Sequence, residues 1–179
     1  MSRSYEPTFE SLSSHPVPTW FRDAKFGLFS HWTVGSVPGF APLGRDPFTI
    51  AREEGEAKAF SHTPYAEWYQ NSAAIPGSPA AEHHTQVWGD CDYSVFVDTF
   101  LNAARGWDPT RWRDMFRASG AKYCVMVTKH HDGVLMWPSD TPNPHRGEAW
   151  SSKRDLVQET ADAARAAGMR FGVYYSGGI

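Results

Sequence analysis

From residue 123 the chain reads YCVMVTKHHDG, an apolar run that ends in Lys129, His130 and His131 and meets a turn signal at Asp132-Gly133. A short apolar run of this kind predicts a strand buried on both faces, as the strands of parallel sheets are. Polar residues directly after such a strand lie at the carboxyl edge of the sheet, where α/β enzymes place their chemistry. The pattern therefore predicts an α/β fold with a functional site at that edge.

Two further segments repeat this pattern. The run KFGLFSH at residues 25–31 ends in His31, and the run RFGVYY at residues 170–175 ends in two tyrosines. Side chains alternate between the two faces of a strand, so aligning the Phe-Gly pairs places Tyr174 on the face that His31 occupies. The three strand ends therefore predict one shared pocket, with Tyr174 inside it and Tyr175 in packing.

The adjacent histidines cannot both be inward-facing strand residues, because neighbours on a strand point to opposite faces. We expect one of His130 and His131 in the strand and the other at the start of the loop, with both rings over the rim. A neutral imidazole donates from one nitrogen and accepts at the other, which suits a network of sugar hydroxyls. Aromatic residues make up 15% of the chain, and aromatic faces pack well on the C–H faces of sugars. Together these features favour a carbohydrate site.

A metal site is the main alternative interpretation of the histidines. Metal-binding imidazoles on one face usually stand two or four residues apart, and an adjacent pair with a distant His31 fits that spacing poorly. A second pair, His83-His84, stands beside a loop and is expected to be solvated. Two cysteines, Cys91 and Cys124, are too few for a disulfide framework or a zinc site, and Cys124 is expected to be buried in its strand. We expect no metal and no cofactor.

The segments between the later strands predict helices. A helix beginning near Tyr93 precedes one that starts at Asp108-Pro109 and closes at Gly120. A third helix is expected between Asp155 and Gly168. Capping residues at the start and glycine at the end mark these helix boundaries. Strands alternating with helices predict a parallel sheet.

The segment between residues 31 and 93 is less regular. Residues 51–59 are charged and Ala-rich, which predicts a short exposed helix. Thr63 as N-cap, Pro64 at the first helical position and Glu67 nearby predict a second helix start.

Composition excludes several classes of protein. The chain has 179 residues, which suits a single domain with one core. Its formal net charge of −3, without a Lys/Arg block, argues against a nucleic-acid partner. No run approaches ~18 apolar residues, so we expect no transmembrane helix and no membrane partner. The first twenty residues lack an apolar core of the secretory type, which favours a cytoplasmic location if Met1 is the true start.

Five motifs, taken in chain order, resemble the α-L-fucosidases of glycoside hydrolase family 29. They lie at residues 20–38, 65–69, 120–133, 153–157 and 170–178, and include AKFGLFSHW, YAEWY, TKHHDG, KRDLV and RFGVYYSGG. Two departures from the family pattern are local. Thr33 stands where a glycine is common, and the loop 142–152 lacks the usual asparagine-containing run, which affects the expected contacts beyond the sugar itself.

The resemblance implies a fold and a site. The family fold is a (β/α)8 barrel of the TIM type followed by a C-terminal β-sandwich, so residues 1–179 would form the N-terminal part of the barrel, with the remainder absent. Family members bind L-fucose with residues that match His31, Glu67, Trp68, His130, His131 and Tyr174. The expected partner is therefore a fucosylated oligosaccharide or glycoconjugate.

The resemblance also implies a reaction, the retaining double-displacement hydrolysis of terminal α-L-fucose. This mechanism uses two carboxyl groups about 5–5.5 Å apart. The family's nucleophile and its usual acid/base residue match positions after residue 179, so we expect the chain to be inactive alone. Glu67 is a candidate contributor to acid/base function, or else a charge that complements a helix dipole. Asp132 matches a different motif and is expected to serve the turn.

Two other functions stay open on the sequence. A non-catalytic fucose-binding remnant would keep the sugar contacts without the chemistry. A metal-dependent barrel hydrolase would use the histidines as ligands.

Overall fold

The computed structural model describes residues 4–147 and 150–177. Their strands form one three-stranded parallel sheet in the order β1 (Leu28–Ser30), β2 (Tyr123–Lys129) and β3 (Arg170–Tyr175). The predicted α/β fold with a parallel sheet is confirmed in this three-stranded form. The bounds of β3 match the predicted strand. β1 is shorter than predicted, because Lys25 adopts a φ of 57°, outside the extended region that a strand requires.

Helices precede β1 and fill both connections between the strands. In chain order, the described α-helices are α1 (Phe9–Ser13), α2 (Thr19–Ala24), α3 (Pro47–Glu54), α4 (Glu56–Ser61), α5 (Tyr69–Ala73), α6 (Pro79–Trp88), α7 (Ser94–Arg105), α8 (Pro109–Ser119) and α9 (Leu156–Ala166). Two 3-10 turns, Val34–Ser36 and Ala66–Trp68, lie in the long connection from β1 to β2. None of these described helices has the length and apolar character needed to cross a bilayer.

The predicted boundaries of the later helices are confirmed. The Asp108 carboxylate accepts a hydrogen bond from the Thr110 amide at the start of α8, and Asp155 caps α9 in the same way. Gly120 ends α8 with a φ of 73°, in the left-handed region that glycine adopts without strain. These local signals fix where the chain leaves α8 and enters β2.

Two predictions upstream are wrong in detail. Thr63 is buried and caps no helix; the chain instead forms the 3-10 turn Ala66–Trp68, whose preceding residue makes no side-chain cap. The helix expected over residues 51–59 is divided into α3 and α4, because Gly55 between them has a φ of 94°. Both differences lie in the segment that carries Glu67.

Apolar residues of the helices cover one face of the sheet in two clusters. The larger cluster joins α7 to the sheet and to the segments after β1 and β2, and includes Phe96, Phe100, Met126, Met136 and Leu156. The second joins α8 and α9 to the start of β2. Cys124 belongs to it and is fully buried, as predicted.

The prediction of a solvated His83-His84 pair is wrong. Both residues lie on α6 and are half-buried. The His83 ring stacks on Phe40 at a centroid distance of 3.9 Å, and His84 Nε2 lies 2.9 Å from the Cys91 carbonyl oxygen. The Tyr69 hydroxyl is 3.2 Å from Nδ1 of each histidine. This pair therefore belongs to the packing of α6.

Candidate functional site

The strand register brings the predicted pocket residues onto one face of the sheet. Phe29 of β1 lies opposite Val125 of β2, and two residues further along, Val127 lies opposite Tyr174 of β3. His31 follows Phe29 by two residues and therefore shares its face. The ring centroid of Phe29 is 4.4 Å from His31 and 5.7 Å from Tyr174. The placement of Tyr174 beside His31 is confirmed, with a centroid distance of 6.5 Å.

A bulge at the end of β2 positions the two adjacent histidines. Val127 pairs with Tyr174, but the next pair joins Lys129 to Tyr175, so Thr128 is the extra residue. The Thr128 hydroxyl donates to the Tyr174 carbonyl oxygen at 2.8 Å and holds the bulge. Bulges redirect the side chains that follow them. As a result both histidines come after the strand end, and the expectation that one of them lies within the strand is wrong.

His130 is the centre of the resulting cluster. Its ring stacks on Tyr174 at 5.6 Å, and its centroid lies 6.0 Å from that of His31 and 4.5 Å from that of His131. His131 in turn contacts Trp68, with a centroid distance of 4.5 Å. The structure therefore joins five of the six predicted site residues in one continuous aromatic cluster.

Burial favours the neutral form of His130 and of His131. His130 is 5% exposed, and desolvation, reinforced by electrostatic interaction with the neighbouring His131, His31 and Lys129, lowers its pKa to about 4. The pKa of His131 is also lowered, first by burial and then by Lys129. Nδ1 of His130 is buried and has no hydrogen-bond partner in the described part of the chain. A neutral ring with a free nitrogen is a ready partner for a ligand hydroxyl.

Close packing of two 3-10 turns brings Trp68 to His131. At Gly35, in the turn Val34–Ser36, an added Cβ would lie 2.7 Å from the Ala66 carbonyl oxygen, so only glycine fits without a shift. The turn Ala66–Trp68 can therefore sit directly on it. Glu67, half-buried on the same turn, makes no hydrogen bond or ion pair with the described residues. It is the one predicted site residue that the structure does not join to the histidines.

Asp132 serves the turn, as predicted. Its carboxylate accepts hydrogen bonds from the Val134 amide at 3.0 Å and from the Tyr93 hydroxyl at 3.2 Å. Asp132 is buried, and burial raises its pKa despite these two donors and the nearby Lys129. The contact with Tyr93 attaches the end of β2 to the start of α7.

Sequence reasoning missed one residue of the site and misplaced another. Phe29 packs against both His31 and Tyr174, as the period-two alternation that places Tyr174 beside His31 also implies. Ser176, which has no separate role in the sequence prediction, lies with its hydroxyl oxygen 3.1 Å from His131 Nδ1. Tyr175, expected in packing, is 57% exposed, and Lys129 Nζ lies 5.3 Å from its ring centroid.

An open cleft of about 740 Å³ adjoins the cluster on the side of His131. Its walls include Gln70 and Asn71 of α5 and the loop residues 141–146. The Leu135 amide donates to the Trp150 carbonyl oxygen, and the Leu135 carbonyl oxygen accepts from the Ser152 amide. These two backbone hydrogen bonds hold the two ends of this long loop together. The cleft gives a ligand at His131 room to extend.

The described residues contain no group of three or more His, Cys, Asp or Glu side chains in an arrangement that could hold a metal ion. The only cluster of histidines at the sheet edge, within these same residues, is the one formed with Tyr174 and Trp68.

Known proteins and one family model resemble this chain along nearly its whole length. The sequence model of one family, described as Alpha-L-fucosidase, matches residues 1–178. The chain belongs to the alpha-L-fucosidase family. It is 36% identical to the tissue alpha-L-fucosidase of Macaca fascicularis and 35% identical to that of Homo sapiens, in both cases over 174 residues and 97% of this chain. The family resemblance found in the motifs is thus confirmed.

Solved structures of alpha-fucosidases share the fold of the chain. The Thermotoga maritima alpha-fucosidase in complex with fucose is 46% identical, with a TM-score of 0.74 over 98% of this chain and 38% of that chain. The same enzyme in complex with a mechanism-based inhibitor gives a TM-score of 0.76 at 44% identity. The chain spans about a third of the length of the curated alpha-L-fucosidases it matches, 32% in the two cases above.

Proposed function

We propose that this chain forms the fucose-binding part of a retaining α-L-fucosidase that acts on terminal α-L-fucose of oligosaccharides or glycoconjugates. The observation that carries the proposal is the buried Nδ1 of His130, which has no partner within the described residues and belongs to a ring whose neutral form burial favours. An unpaired buried polar atom is costly, so a ligand hydroxyl that pairs with it gains binding energy. Membership of the alpha-L-fucosidase family supports fucose as the sugar.

In this proposal the three-stranded sheet is the start of a (β/α)8 barrel. Two observations support it: the strands of the described residues pair in parallel, and helix α9 lies in the connection between β2 and β3 as in a βα repeat. Val173 and Tyr175 of the edge strand β3 are more than half exposed, which is expected where a further strand would pair. Residues 1–179 would then be the N-terminal part of the catalytic barrel, and the remaining strands and a C-terminal β-sandwich would lie outside them.

Each site residue has a role that its surroundings support. His31, His130 and His131 would hydrogen-bond fucose hydroxyls through their ring nitrogens. Tyr174, stacked on His130, and Trp68, packed on His131, would form the aromatic walls.

Glu67 is the proposed acid/base contributor. Its carboxylate makes no ion pair or hydrogen bond with the described residues, whereas Asp132 is committed to Tyr93 and to the turn. Retention of configuration needs a pair of carboxyl groups, and Asp132 is a poor member of such a pair because it is buried and already accepts two hydrogen bonds. We therefore propose that the nucleophile lies outside residues 1–179, and that these residues alone bind fucose without hydrolysing it.

The cleft beside His131 is the proposed position of the sugar or aglycone attached to fucose. Its volume of about 740 Å³ is ample for one or two sugar rings, and residues of loop 141–146 line it. The same loop departs from the family pattern, so preference for the attached group would be a property of this chain.

A titration tests the binding part of the proposal. L-fucose added to the 179-residue chain is expected to give a saturable change in tryptophan fluorescence, reported by Trp68, while the mirror-image sugar D-fucose gives none. His130→Gln removes the free nitrogen and should abolish the change, whereas His15→Ala, at an exposed position outside the cluster, should leave it intact. No saturable change with L-fucose in the unaltered chain would refute the binding role.

A hydrolysis assay tests the catalytic part separately. An aryl α-L-fucoside incubated with the same chain is expected to release no aryl alcohol above the rate seen with Glu67→Gln. Release that depends on Glu67 would show that a working pair of carboxyl groups lies within residues 1–179, and the proposed position of the nucleophile would be wrong.

A further inference from the structure

Ser176 is fixed at the point where β3 meets the end of β2. Its amide donates to the Lys129 carbonyl oxygen at 3.0 Å, and its own carbonyl oxygen accepts from Lys129 Nζ at 2.5 Å. The residue is 7% exposed. Two hydrogen bonds to one neighbour leave the Ser176 backbone little freedom, so the direction of its side chain is set by the sheet.

The hydroxyl of this fixed serine faces a single histidine nitrogen. Ser176 Oγ lies 3.1 Å from His131 Nδ1, within hydrogen-bonding distance. Because a neutral imidazole carries one proton, two arrangements are possible: the hydroxyl donates to a bare Nδ1, or a protonated Nδ1 donates to the hydroxyl. The two arrangements leave Nε2 as a donor or as an acceptor, respectively.

The position of Lys129 decides between them. Its ammonium group is hydrogen-bonded to the carbonyl oxygen of Ser176, the residue whose hydroxyl contacts Nδ1, and its charge acts on the His131 ring. A positive charge held by the same residue favours a lone pair on Nδ1 over an N–H group directed towards Ser176. The direction of the His131 pKa agrees, since burial and then Lys129 lower it and so favour the neutral ring.

We propose that Ser176 is a positioning residue, which donates its hydroxyl proton to Nδ1 of His131 and holds the ring as the tautomer with a proton on Nε2. His131 would then present an N–H donor to a hydroxyl oxygen of the sugar. Trp68 packs against the ring at 4.5 Å and limits its rotation. The identity of the ligand rests on the proposed function, but the tautomer of His131 does not.

Nitrogen-15 NMR of the histidine rings tests the tautomer directly. In the unaltered 179-residue chain at neutral pH, His131, assigned by the loss of its signals in His131→Gln, is expected to show a bare Nδ1 and a protonated Nε2. Ser176→Ala should move both nitrogen shifts towards the averaged values of a mixture, and should raise the pKa of His131 because a donor to the neutral ring is lost. Ser176→Thr keeps the hydroxyl and should restore the signals.

Two results would overturn the assignment. One is a protonated Nδ1 of His131 in the unaltered chain, a measurement that does not depend on the folding of any variant. The other is an unchanged tautomer in Ser176→Ala. Ser151→Ala is the matched control, because this buried serine donates its hydroxyl to the Ser139 carbonyl oxygen and to no histidine; it should leave the His131 signals as they are.

Fucose titrations then connect the tautomer with binding. Loss of one oriented neutral hydrogen bond in Ser176→Ala is expected to weaken L-fucose binding about fivefold, with Ser176→Thr close to the unaltered chain. Absence of fucose binding by the unaltered chain would contradict the proposed function, while the nitrogen shifts would still decide the role of Ser176. Equal affinities in the alanine and threonine variants would contradict a role in binding.

Discussion

Gly35→Ala isolates the contact that brings Trp68 to the histidines. The new Cβ would lie 2.7 Å from the Ala66 carbonyl oxygen, 3.1 Å from its carbonyl carbon and 3.2 Å from the Glu67 Cα. All three are backbone atoms, so no side chain can turn aside to relieve the overlap. Ordinary contacts begin near 3.4 Å, so the turn Ala66–Trp68 must move by about 0.7 Å.

The expected cost is that of overpacking a buried site, about 1–3 kcal/mol in the free energy of unfolding. For a chain of this size that corresponds to a fall in Tm of roughly 2–12 °C. Gly35 has no left-handed φ, so the cost comes from the overlap and not from backbone strain. Because the displaced turn carries Trp68, the affinity for L-fucose should also fall, by about tenfold for a contact worth ~1.4 kcal/mol.

The assay pairs urea unfolding, followed by circular dichroism, with the fucose titration. Gly106→Ala is the matched control: its φ is −92°, and the nearest atom to an added Cβ is the Ala103 carbonyl oxygen at 3.8 Å. It should change the free energy of unfolding by less than about 0.5 kcal/mol or raise it slightly, since alanine restricts the unfolded chain. Equal stabilities for the two variants would refute the steric argument, and a weakened Gly35→Ala chain with unaltered affinity would refute the role given to the turn.

Two further predictions concern the end of β2. The pKa of His130 is about 4 in the folded chain, below the ordinary value of 6.5, so as the pH falls the unfolded chain binds a proton at His130 before the folded chain does. The free energy of unfolding should therefore fall between about pH 6.5 and about pH 4, by up to ~3 kcal/mol. In His130→Gln the same urea series should show a shallower decline, and an identical decline would contradict the assignment. Tyr93→Phe removes the hydroxyl that donates to buried Asp132 and should cost about 1–3 kcal/mol at neutral pH; Tyr65→Phe, at an exposed position, should cost almost nothing, and equal effects in the two variants would contradict the partnership with Asp132.

Local signals explain which parts of the fold could be predicted. Gly120 ends α8, the carboxylates of Asp108 and Asp155 cap helices, and apolar runs mark β2 and β3; each of these depends on a few neighbouring residues. Thr63-Pro64 shows the limit of such signals. The same residue types that start helices elsewhere lie here in a buried segment whose shape is set by contact with the turn Val34–Ser36.

The site was predictable where alternation alone decides the geometry. His31 and Tyr174 share a face because a period of two holds along β1 and β3. The positions of His130 and His131 depend on the bulge at Thr128, which exists only because β2 is paired with β3, and no local pattern in β2 reports it. Ser176 was missed for a related reason, since its partners Lys129 and His131 are more than forty residues away in the chain.

In the motif Lys129-His130-His131-Asp132, the two outer residues stabilise the structure and the two histidines are available to a ligand. The two charged side chains are used inside the protein, Lys129 on the Ser176 carbonyl oxygen and Asp132 on Tyr93 and the turn. Their hydrogen bonds hold the histidine pair from both sides, while burial next to a cation keeps the two rings neutral. A neutral sugar bears hydroxyls that need both donors and acceptors, and charged groups facing it would have to be desolvated at a cost. At this edge of the sheet the charged side chains are paired within the protein, while imidazole nitrogens are free to bind. Such an edge therefore suits a neutral, hydroxyl-bearing ligand better than an anion or a metal ion.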